Sequence, residues 1–423
     1  MKKVRIHISK LGPIIGQDIE IAPLMLFTGD SNLGKSYTNF LCYYLFSLAV
    51  SDRMNEFLLG KIRNFDDNTK EVSFNLRVDD VRLWMEDDFN RFFRYLLAYP
   101  EMECDVHFYF IEVPDSLSVK INLSEDLEDD AKAIPVHIDV NGRFVDYRIS
   151  KGYKLDDILT WLKYLVVEAL TGELIVNSYL MPPGRASLLS GSFTTQKGSS
   201  KMGLYEIFLG DNDRINYRVL RSNSFKEDQQ FFQSRIKKLI GGDLVFGVNG
   251  LELKLKNGQN IPIEAAASSI KELAPILMWM QGSSTMAYDS ICIEEPEAHC
   301  HPMMQSQLAD MLVACINKGT IMQISTHSDY LLKRLNELLR LNDFRENSPE
   351  KYDKFCNDFQ HSRNLVLTKD MIKAYYFHYS DEDQSVKIEL QDLSDGIPFD
   401  SFSQILDEEF RFDSYWEDED EDL

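Results

Sequence analysis

The sequence has no long apolar run and no cysteine pairing pattern. No stretch approaches the roughly 18 uninterrupted apolar residues that cross a bilayer, and the first residues, MKKVRIHISKLG, lack the apolar segment of a signal peptide. The six cysteines are scattered and include no CxxC pair, which favours buried free thiols in a reducing cytosol over disulfides. We therefore predict a soluble, cytoplasmic protein without a membrane partner.

Positive charge is also scarce. The 423 residues include 45 Lys and Arg against 68 Asp and Glu, which gives a formal net charge of −23. The run from Glu417 to Asp422 supplies six negative charges, so the rest of the chain is also acidic, at −17. This balance argues against a broad electropositive surface for nucleic acid, although a local basic groove is compatible with it. The acidic run predicts a solvated tail, with DNA mimicry or docking of a basic partner as the alternatives.

The sequence lacks a heptad repeat sustained over several turns, so we predict no long coiled-coil arm, and it shows no internal repeat. A hydrophobic content of 44% and an aromatic content of 12% support a substantial packed core. The length suits two or three domains, or one core with large insertions.

A phosphate-loop motif lies near the N-terminus. The segment GDSNLGKS matches G-x-x-x-x-G-K-[ST]; a predicted strand over 19–27 precedes it and an apolar, helix-compatible run over 37–50 follows. In such a loop, backbone N–H groups and the helix N-terminus face phosphates. Lys35 is expected to reach the β and γ phosphates and Ser36 to hold Mg²⁺ through its hydroxyl. The predicted nucleotide-binding residues of this segment are Gly29, Asn32, Gly34, Lys35, Ser36 and Tyr37.

The second motif is the segment SICIEEPEAHCHP, which opens with a short buried strand, Ile291 to Ile293. Glu294 and Glu295 follow where this strand would surface, and Pro296 prevents it from continuing as a central strand. Paired acids at a strand's carboxyl end are typical of nucleotide-hydrolysing α/β proteins, which place a Mg²⁺ partner beside a water-activating base. An ordinary strand with a charged exit is the alternative, and the other motifs decide between the two.

A third segment, AAASSIKELAPILMWM over 265–280, predicts an apolar helix. Ser268 and Ser269 cap its start, where hydroxyls and free N–H groups can bind an anion such as a γ-phosphate. An ordinary helix cap without a ligand is the alternative. Pro275 is expected to kink this helix or to divide it into short pieces.

Two single residues complete the set of candidates. His327 follows a predicted buried strand over 320–324, where an imidazole can contact a γ-phosphate or an attacking water, although structural histidines are equally common. Arg185 follows a Pro-Pro-Gly turn within a segment, 178–189, that we interpret as a loop. On its own, such an arginine is usually a solvated charge.

Taken together, the phosphate loop, the arginine segment, the serine helix, IEEPEAHCHP and the THS that contains His327 resemble the ABC-type ATPase domain of the overcoming-lysogenization-defect (OLD) family and its RecF/SMC-like relatives. Many members carry IEEPEAHLHP, and this chain departs from it only at Cys300. The resemblance covers 1–50 and about 175–345.

The resemblance implies a role for each candidate. Glu294 corresponds to the Walker B acid that holds Mg²⁺, Glu295 to the catalytic base and His327 to the switch histidine. Ser268 and Ser269 match the signature motif, and an arginine such as Arg185 is often seen near the ATP in this class. Because ATP is sandwiched between two such heads, the resemblance also implies a homodimer or a larger assembly of dimers.

The chain departs from the family in three respects. Glu294 stands where aspartate is commoner, which adds one methylene. No glutamine loop linked to Mg²⁺ can be placed in the sequence. OLD nucleases carry a carboxylate-rich Toprim domain after the ATPase, whereas only 95 residues follow THS here, and they show no such set of acids. We therefore predict no nuclease activity of its own.

The chain thus resembles ATPases that act with a separately encoded nuclease or toxin in bacterial anti-phage systems such as PARIS or Septu. On this interpretation, ATP-dependent closure would hold, release or activate the effector. The first alternative is a RecF/SMC-like DNA-repair ATPase, for which DNA would be the direct ligand. The second is a scaffold that binds ATP without hydrolysing it.

The predicted fold class is α/β, with an ABC-ATPase-like P-loop core built on a mixed sheet. The core is expected to comprise 1–50 and 175–345, with a helical and β insertion over 51–174. A small α+β segment over 346–416, with strands between 364 and 393 and a helix over 400–409, and an acidic tail over 417–423 complete the prediction.

Overall fold

The structure, a computed structural model, describes residues 4–62, 70–123, 133–150, 154–189, 203–221, 227–247, 250–282, 286–359 and 361–398. The β-strands are β1 Val4–Leu11, β2 Ile14–Glu20, β3 Leu24–Gly29, β4 Glu71–Arg77, β5 Cys104–Phe110, β6 Ser116–Leu123, β7 Ala133–Val140, β8 Arg143–Ser150, β9 Asn177–Met181, β10 Gly242–Gly247, β11 Gly250–Leu255, β12 Asn260–Pro262, β13 Asp289–Glu294, β14 Ile321–Ser325, β15 Ile372–Ser380 and β16 Ser385–Leu390. The α-helices are α1 Lys35–Ser47, α2 Arg53–Leu59, α3 Val78–Leu97, α4 Lys154–Thr171, α5 Arg185–Leu189, α6 Gly203–Arg221, α7 Glu227–Ile240, α8 Ser268–Gly282, α9 Pro302–Ile316, α10 Asp329–Asn347 and α11 Pro349–Asp358.

A nine-stranded mixed sheet forms the centre of the molecule, in the order β5-β1-β2-β16-β15-β3-β14-β13-β9. The strands β15, β3, β14, β13 and β9 run parallel to one another, whereas β1 pairs antiparallel with β2 and with β5. Every residue of β3, β13, β14 and β9 is buried, because helices cover both faces of this part of the sheet. The α/β class with a mixed sheet is therefore confirmed.

Alternate residues of the central strands enter two separate hydrophobic cores, as the twofold periodicity of a strand requires. Met25 and Phe27 of β3 face the core that contains α1, α3 and α4. Leu24 and Leu26 of the same strand face the core built by α7, α8, α9 and α10. The sheet is thus held between two helical layers, and the carboxyl ends of its parallel strands meet along one edge.

The region 51–174, which we predicted as an insertion, contains a second sheet of four antiparallel strands in the order β4-β6-β7-β8. Helix α4 packs on β7 and β8, and α3 packs on β5. Strand β5 leaves this unit and pairs with β1, so it extends the central sheet at its outer edge. The predicted helix over 154–171 is confirmed, and Gly172, with φ 82°, ends it as expected.

Three local predictions were wrong, and one helix had not been predicted. The segment 19–27 is not one strand: β2 ends at Glu20 and β3 begins at Leu24, after Pro23, because proline cannot donate to a sheet ladder. The segment 178–189 is not a loop, since it forms most of β9 and all of α5. Pro275 does not divide its helix, which is continuous as α8. Helix α6 was not anticipated.

Two strands of the predicted C-terminal segment, β15 and β16, lie inside the central sheet, with β15 paired directly to β3. The sequence had predicted strands between 364 and 393 but not their position in the central sheet. The helix expected over 400–409 and the acidic tail fall outside the described residues. Among the helices that the structure describes, none has the length and apolar character needed to cross a membrane.

Candidate nucleotide site

The phosphate-loop motif forms the turn between β3 and α1. Gly29, with φ 114°, ends the strand, and a side chain there would overlap the backbone carbonyl of Phe377 in β15. Gly34, with φ 90°, caps α1, and Asn32 also adopts a left-handed conformation, with φ 63°. Asparagine tolerates this conformation better than most residues, which explains its presence where glycine often stands. The left-handed residues thus let the backbone make a tight turn between β3 and α1.

Lys35, the first residue of α1, is nearly fully buried and points back into this loop. Its Nζ donates hydrogen bonds to the carbonyl oxygens of Gly29, at 2.9 Å, and Asp30, at 2.5 Å. Burial lowers the pKa of Lys35 to about 8, and the negative charges of Asp30, Glu295 and Glu294 oppose that shift. The ammonium group is therefore already held where a phosphate chain would lie over the loop.

The acid pair lies beside the loop because β13 runs parallel to β14, which in turn pairs with β3. Glu294, the last residue of β13, is 3% exposed, and the Oγ of Ser325 lies 3.4 Å from its Oε1. Burial raises its pKa to about 7, while hydrogen bonds from Ser36, Asn39 and Ser325 work in the opposite direction. The hydroxyl of the phosphate loop and the buried acid of the second motif are thus direct neighbours.

Glu295 has a left-handed backbone conformation, with φ 44°. For a residue other than glycine such a conformation costs on the order of 1–3 kcal/mol and persists only where the surroundings fix it. Its N–H donates to the carbonyl of Ser325 at 2.9 Å, and its own carbonyl accepts from Nη2 of Arg185 at 3.2 Å. Both backbone polar groups of Glu295 are therefore hydrogen-bonded, which fixes the position from which its side chain extends.

His327 is positioned by a buried acid that the sequence interpretation did not single out. Glu297 Oε1 accepts from the N–H of His327 at 2.9 Å and from the hydroxyl of Thr326 at 2.7 Å. Burial raises the pKa of Glu297, and its Oε2 has no hydrogen-bond partner in the structure. Burial and the nearby charge of Lys35 lower the pKa of His327, so its imidazole is neutral at pH 7. The acid within PEAH was the available signal for this arrangement.

Seven of the predicted site residues line one cavity of about 390 Å³. This volume falls within the range of roughly 300–1,000 Å³ that is usual for small-molecule sites. The cavity is formed by Pro13, Ser31, Asn32, Gly34, Lys35, Ser36, Tyr37, Glu295, Ser325 and His327. The structure therefore brings the phosphate loop, the second acid and the histidine to a common space.

The remaining candidates lie elsewhere. Ser268 and Ser269 occupy the first turn of α8, where Ser268 is exposed and Ser269 is half-buried, and neither lines the cavity. Arg185 is fully buried beneath the acid pair, with its guanidinium among backbone carbonyl groups. The expected contacts of these three residues with nucleotide remain predictions.

The donor set fits a divalent, oxygen-preferring cation. Ser36 supplies a hydroxyl and Glu294 a carboxylate, and Ser36 is near enough to lower the pKa of that carboxyl. Mg²⁺ in nucleotide sites is commonly held by one or two protein oxygens together with phosphate oxygens and water. Burial raises the pKa of Glu294, and a divalent cation at this position would favour its ionised form.

A model of the AAA ATPase domain family matches residues 196–332. This match contains the serine helix α8, the acid strand β13 and His327, and it begins well after the phosphate loop. The match supports an ATPase of this broad class and, with the loop geometry, a nucleotide as its ligand. No curated protein sequence matched the chain.

Several SMC head domains are among the solved structures that resemble the chain. The Smc head bound to the C-terminal winged-helix domain of ScpA has 12% identity and a TM-score of 0.39, over 93% of this chain and 98% of the other. The SMC head domain from Thermotoga maritima has 9% identity and a TM-score of 0.34, over 93% and 100%. The Smc head with an extended coiled coil from Pyrococcus furiosus, bound to the C-terminal domain of ScpA, has 13% identity and a TM-score of 0.36, over 96% and 99%.

Proposed function

We propose that this chain binds ATP with Mg²⁺ at the phosphate-loop cavity and hydrolyses it to ADP and phosphate. One observation carries the proposal: Ser36 of the loop, Glu295 and His327 line one cavity, and the buried Glu294 lies beside Ser36. A structural acid at a strand end would not require a loop hydroxyl, a second acid and a neutral histidine around one space. A nucleotide-hydrolysing site uses a loop hydroxyl and an acid to hold Mg²⁺, and further polar side chains to orient the attacking water and stabilise the phosphate charge.

The binding roles follow from the local geometry. The N–H groups of the loop and the positive end of α1 are suited to the phosphates, and Lys35 exchanges its two carbonyl partners for phosphate oxygens. Ser36 and Glu294 would hold Mg²⁺, and Glu294 loses its proton when it does so. The bound cation neutralises charge on the phosphates and orients them for attack.

The catalytic roles fall to the two residues that face the cavity without taking part in the loop. Glu295, fixed by its backbone bonds to Ser325 and Arg185, is suited to orient water and accept its proton. His327 is neutral, and it can therefore donate one hydrogen bond and accept another at the γ-phosphate or the water. Glu297 holds the backbone of His327 for this purpose.

We further propose that two copies of the chain close around ATP and that closure controls a separately encoded effector, a nuclease or toxin, in anti-phage defence. The outward position of Ser268, away from the cavity of its own chain, supports a contact with nucleotide bound to the other copy. The defence role rests on the resemblance of IEEPEAHCHP to the OLD family. The acidic balance of the chain makes DNA a less favoured ligand.

The deciding experiment compares wild type with Glu295→Gln, which keeps the size of the side chain and removes the base. We expect wild type to hydrolyse ATP and the variant to bind ATP with a turnover that is lower by about 10²–10⁴-fold, the usual contribution of a general base. Glu101→Gln, at an exposed carboxylate outside the site, is the matched control and should match wild type.

Solution mass is measured in parallel, with and without ATP. A dimer that forms with ATP and persists in Glu295→Gln supports closure around the nucleotide, and proteins that co-purify with this dimer become candidate effectors. Wild type that binds ATP but does not hydrolyse it, even with DNA or candidate partners added, would overturn the catalytic assignment and favour a non-hydrolysing scaffold. Turnover that rises steeply with duplex DNA and falls with salt would instead favour a DNA-acting ATPase.

A further inference from the structure

Arg185 is the largest charged side chain that the structure buries completely, with 0% exposure. It begins the short helix α5, immediately after the turn that follows β9. Its three nitrogens donate to backbone carbonyl groups of three separate segments. These acceptors are Met181 (3.4 Å), Pro182 (2.8 Å) and Glu294 (2.7 Å) for Nη1, Glu295 (3.2 Å) for Nη2 and Glu272 (3.0 Å) for Nε.

The positions of these carbonyl groups explain why a guanidinium is needed. Pairing between β9 and β13 ends at Met181 and Ile293. Beyond that point β9 and β13 are no longer paired. The buried carbonyl groups just past the last pair therefore need donors from elsewhere. Arginine presents five N–H groups in a rigid planar fork, so a single side chain can serve both strand ends. The guanidinium of Arg185 thereby holds the backbone carbonyl groups of Glu294 and Glu295.

The third segment is helix α8. Nε of Arg185 donates to the carbonyl of Glu272 and also lies 3.5 Å from the Oε2 of that residue, which is 2% exposed. Glu272 lies one turn after Ser268 and Ser269, in the same helix. One buried side chain therefore connects the helix that presents the two serines with the strand end that carries Glu294 and Glu295.

We infer that Arg185 is a positioning residue that couples the start of α8 to the acid pair, and that it does not contact nucleotide. This inference rests on the proposed ATPase function and deepens it. A movement of the serines on closure would reach Glu295 through Nε and Nη2 of a single rigid group. The left-handed backbone of Glu295 is held by three bonds: its N–H donates to the carbonyl of Ser325, and its carbonyl accepts from the N–H of Ala298 and from Arg185. Of these three, only the bond to Arg185 also links it to α8.

The test substitutes Arg185→Lys, which keeps the positive charge but replaces the fork by a single nitrogen that cannot serve both α8 and β13. We expect ATP affinity measured without Mg²⁺ to stay within about twofold of wild type, because Arg185 does not line the cavity. We expect kcat to fall by about 10- to 100-fold, the effect of misplacing a catalytic group by about 1 Å. The Mg²⁺ concentration for half-maximal turnover should rise, since Glu294 is displaced together with Glu295.

Arg334→Lys is the matched control. Arg334 is a mostly buried arginine paired with Asp310 and Glu337, in α9 and α10, and it makes no contact with the acid pair in the structure. The same chemical change there should leave kcat and the Mg²⁺ dependence unaltered. Hydrogen–deuterium exchange without nucleotide gives a readout that does not depend on turnover: residues 268–274 and 293–297 should both exchange faster in Arg185→Lys and not in Arg334→Lys.

Each result separates the two proposals. A folded Arg185→Lys with wild-type kcat and unchanged exchange overturns the coupling and leaves the ATPase function intact. A loss of ATP affinity of tenfold or more with unchanged kcat overturns it in favour of the nucleotide contact predicted from the sequence. An absence of turnover in wild type and Arg334→Lys alike counts against the ATPase function, and the exchange measurement still decides the coupling.

The variant Glu272→Gln serves if Arg185→Lys does not fold. It keeps the backbone acceptor of Glu272 and removes the ion pair that fixes the fork against α8. We expect a lower kcat with unchanged ATP affinity, together with faster exchange over residues 293–297. Unchanged kcat and unchanged exchange in this variant would also overturn the coupling.

Discussion

Replacing Glu294 by glutamine should stabilise the protein at alkaline pH while it abolishes turnover that depends on Mg²⁺. Glu294 is 3% exposed, and its pKa rises from 4.5 to about 7 because burial disfavours the charged form. A carboxyl whose pKa is higher in the folded than in the unfolded state favours folding fully below pH 4.5. That contribution is lost as the pH rises from 4.5 through 7, the window set by the two pKa values.

The size of the effect follows from these two pKa values. Linkage gives a loss of stability, relative to the fully protonated state, of about 0.8 kcal/mol at pH 5 and about 3.3 kcal/mol at pH 8. Glutamine does not titrate, so the difference between Glu294→Gln and wild type should grow by about 2.5 kcal/mol in favour of the variant between these pH values.

The assay is urea denaturation of both proteins at pH 5 and pH 8, in EDTA and without nucleotide. The change in the difference between pH 5 and pH 8 is the quantity of interest, because titrating groups that do not interact with residue 294 cancel in it. Glu101→Gln, at an exposed carboxylate, should show no such change. A difference for Glu294→Gln that is equal at both pH values, or that favours wild type at pH 8, would refute the argument that burial leaves the acid uncompensated.

Two further predictions concern the loop. Gly29→Ala should destabilise the protein by more than Gly16→Ala and abolish ATP binding, because both glycines have positive φ but only at Gly29 would the new methyl group overlap the carbonyl of Phe377. Thermal denaturation measures this, and we expect about 1–2 kcal/mol for Gly16→Ala, where the conformational strain alone acts; equal losses would contradict the overlap. ATP affinity of wild type, measured without Mg²⁺, should fall above pH 8 because Lys35 loses its proton there. In Lys35→Met, ATP affinity should be weak and independent of pH over that range. Parallel pH profiles for the two proteins would show that another group titrates.

The sequence was sufficient to predict that the phosphate loop, Glu295 and His327 come together, because each lies on a contiguous motif. The phosphate loop, the acid pair and His327 each follow a short buried strand, and the carboxyl ends of parallel strands meet at one edge of a sheet. The structure places β3, β14 and β13 side by side, so these three signals meet in one cavity. That part of the prediction needed only the pattern of short buried strands and the rule that the carboxyl ends of parallel strands lie at one edge.

The sequence was insufficient where the outcome depended on partners distant in the chain. Arg185 stood in a segment that read as a loop, and its role depends on carbonyl groups up to 110 residues away. Strand β15 was predicted as a strand, yet its place beside β3 is a long-range pairing that no local pattern specifies. Pro275 lies inside a continuous helix because the apolar residues around it are buried on the packed face of α8, and that packing outweighs a missing hydrogen bond.

The charges around the cavity indicate which ligand the site prefers. Burial shifts Lys35 and Glu294 towards their neutral forms, with pKa values of about 8 and about 7, so near neutral pH each is close to losing its charge. A free polyphosphate would favour the charged form of Lys35 but would oppose the ionised form of Glu294, which lies against Ser36 in the loop. A cation bound at Glu294 and Ser36 removes that opposition, because it favours the carboxylate and neutralises the phosphates together. On the proposed function, we therefore expect nucleotide that carries its divalent cation to bind more tightly than nucleotide alone, because two residues of the site are buried.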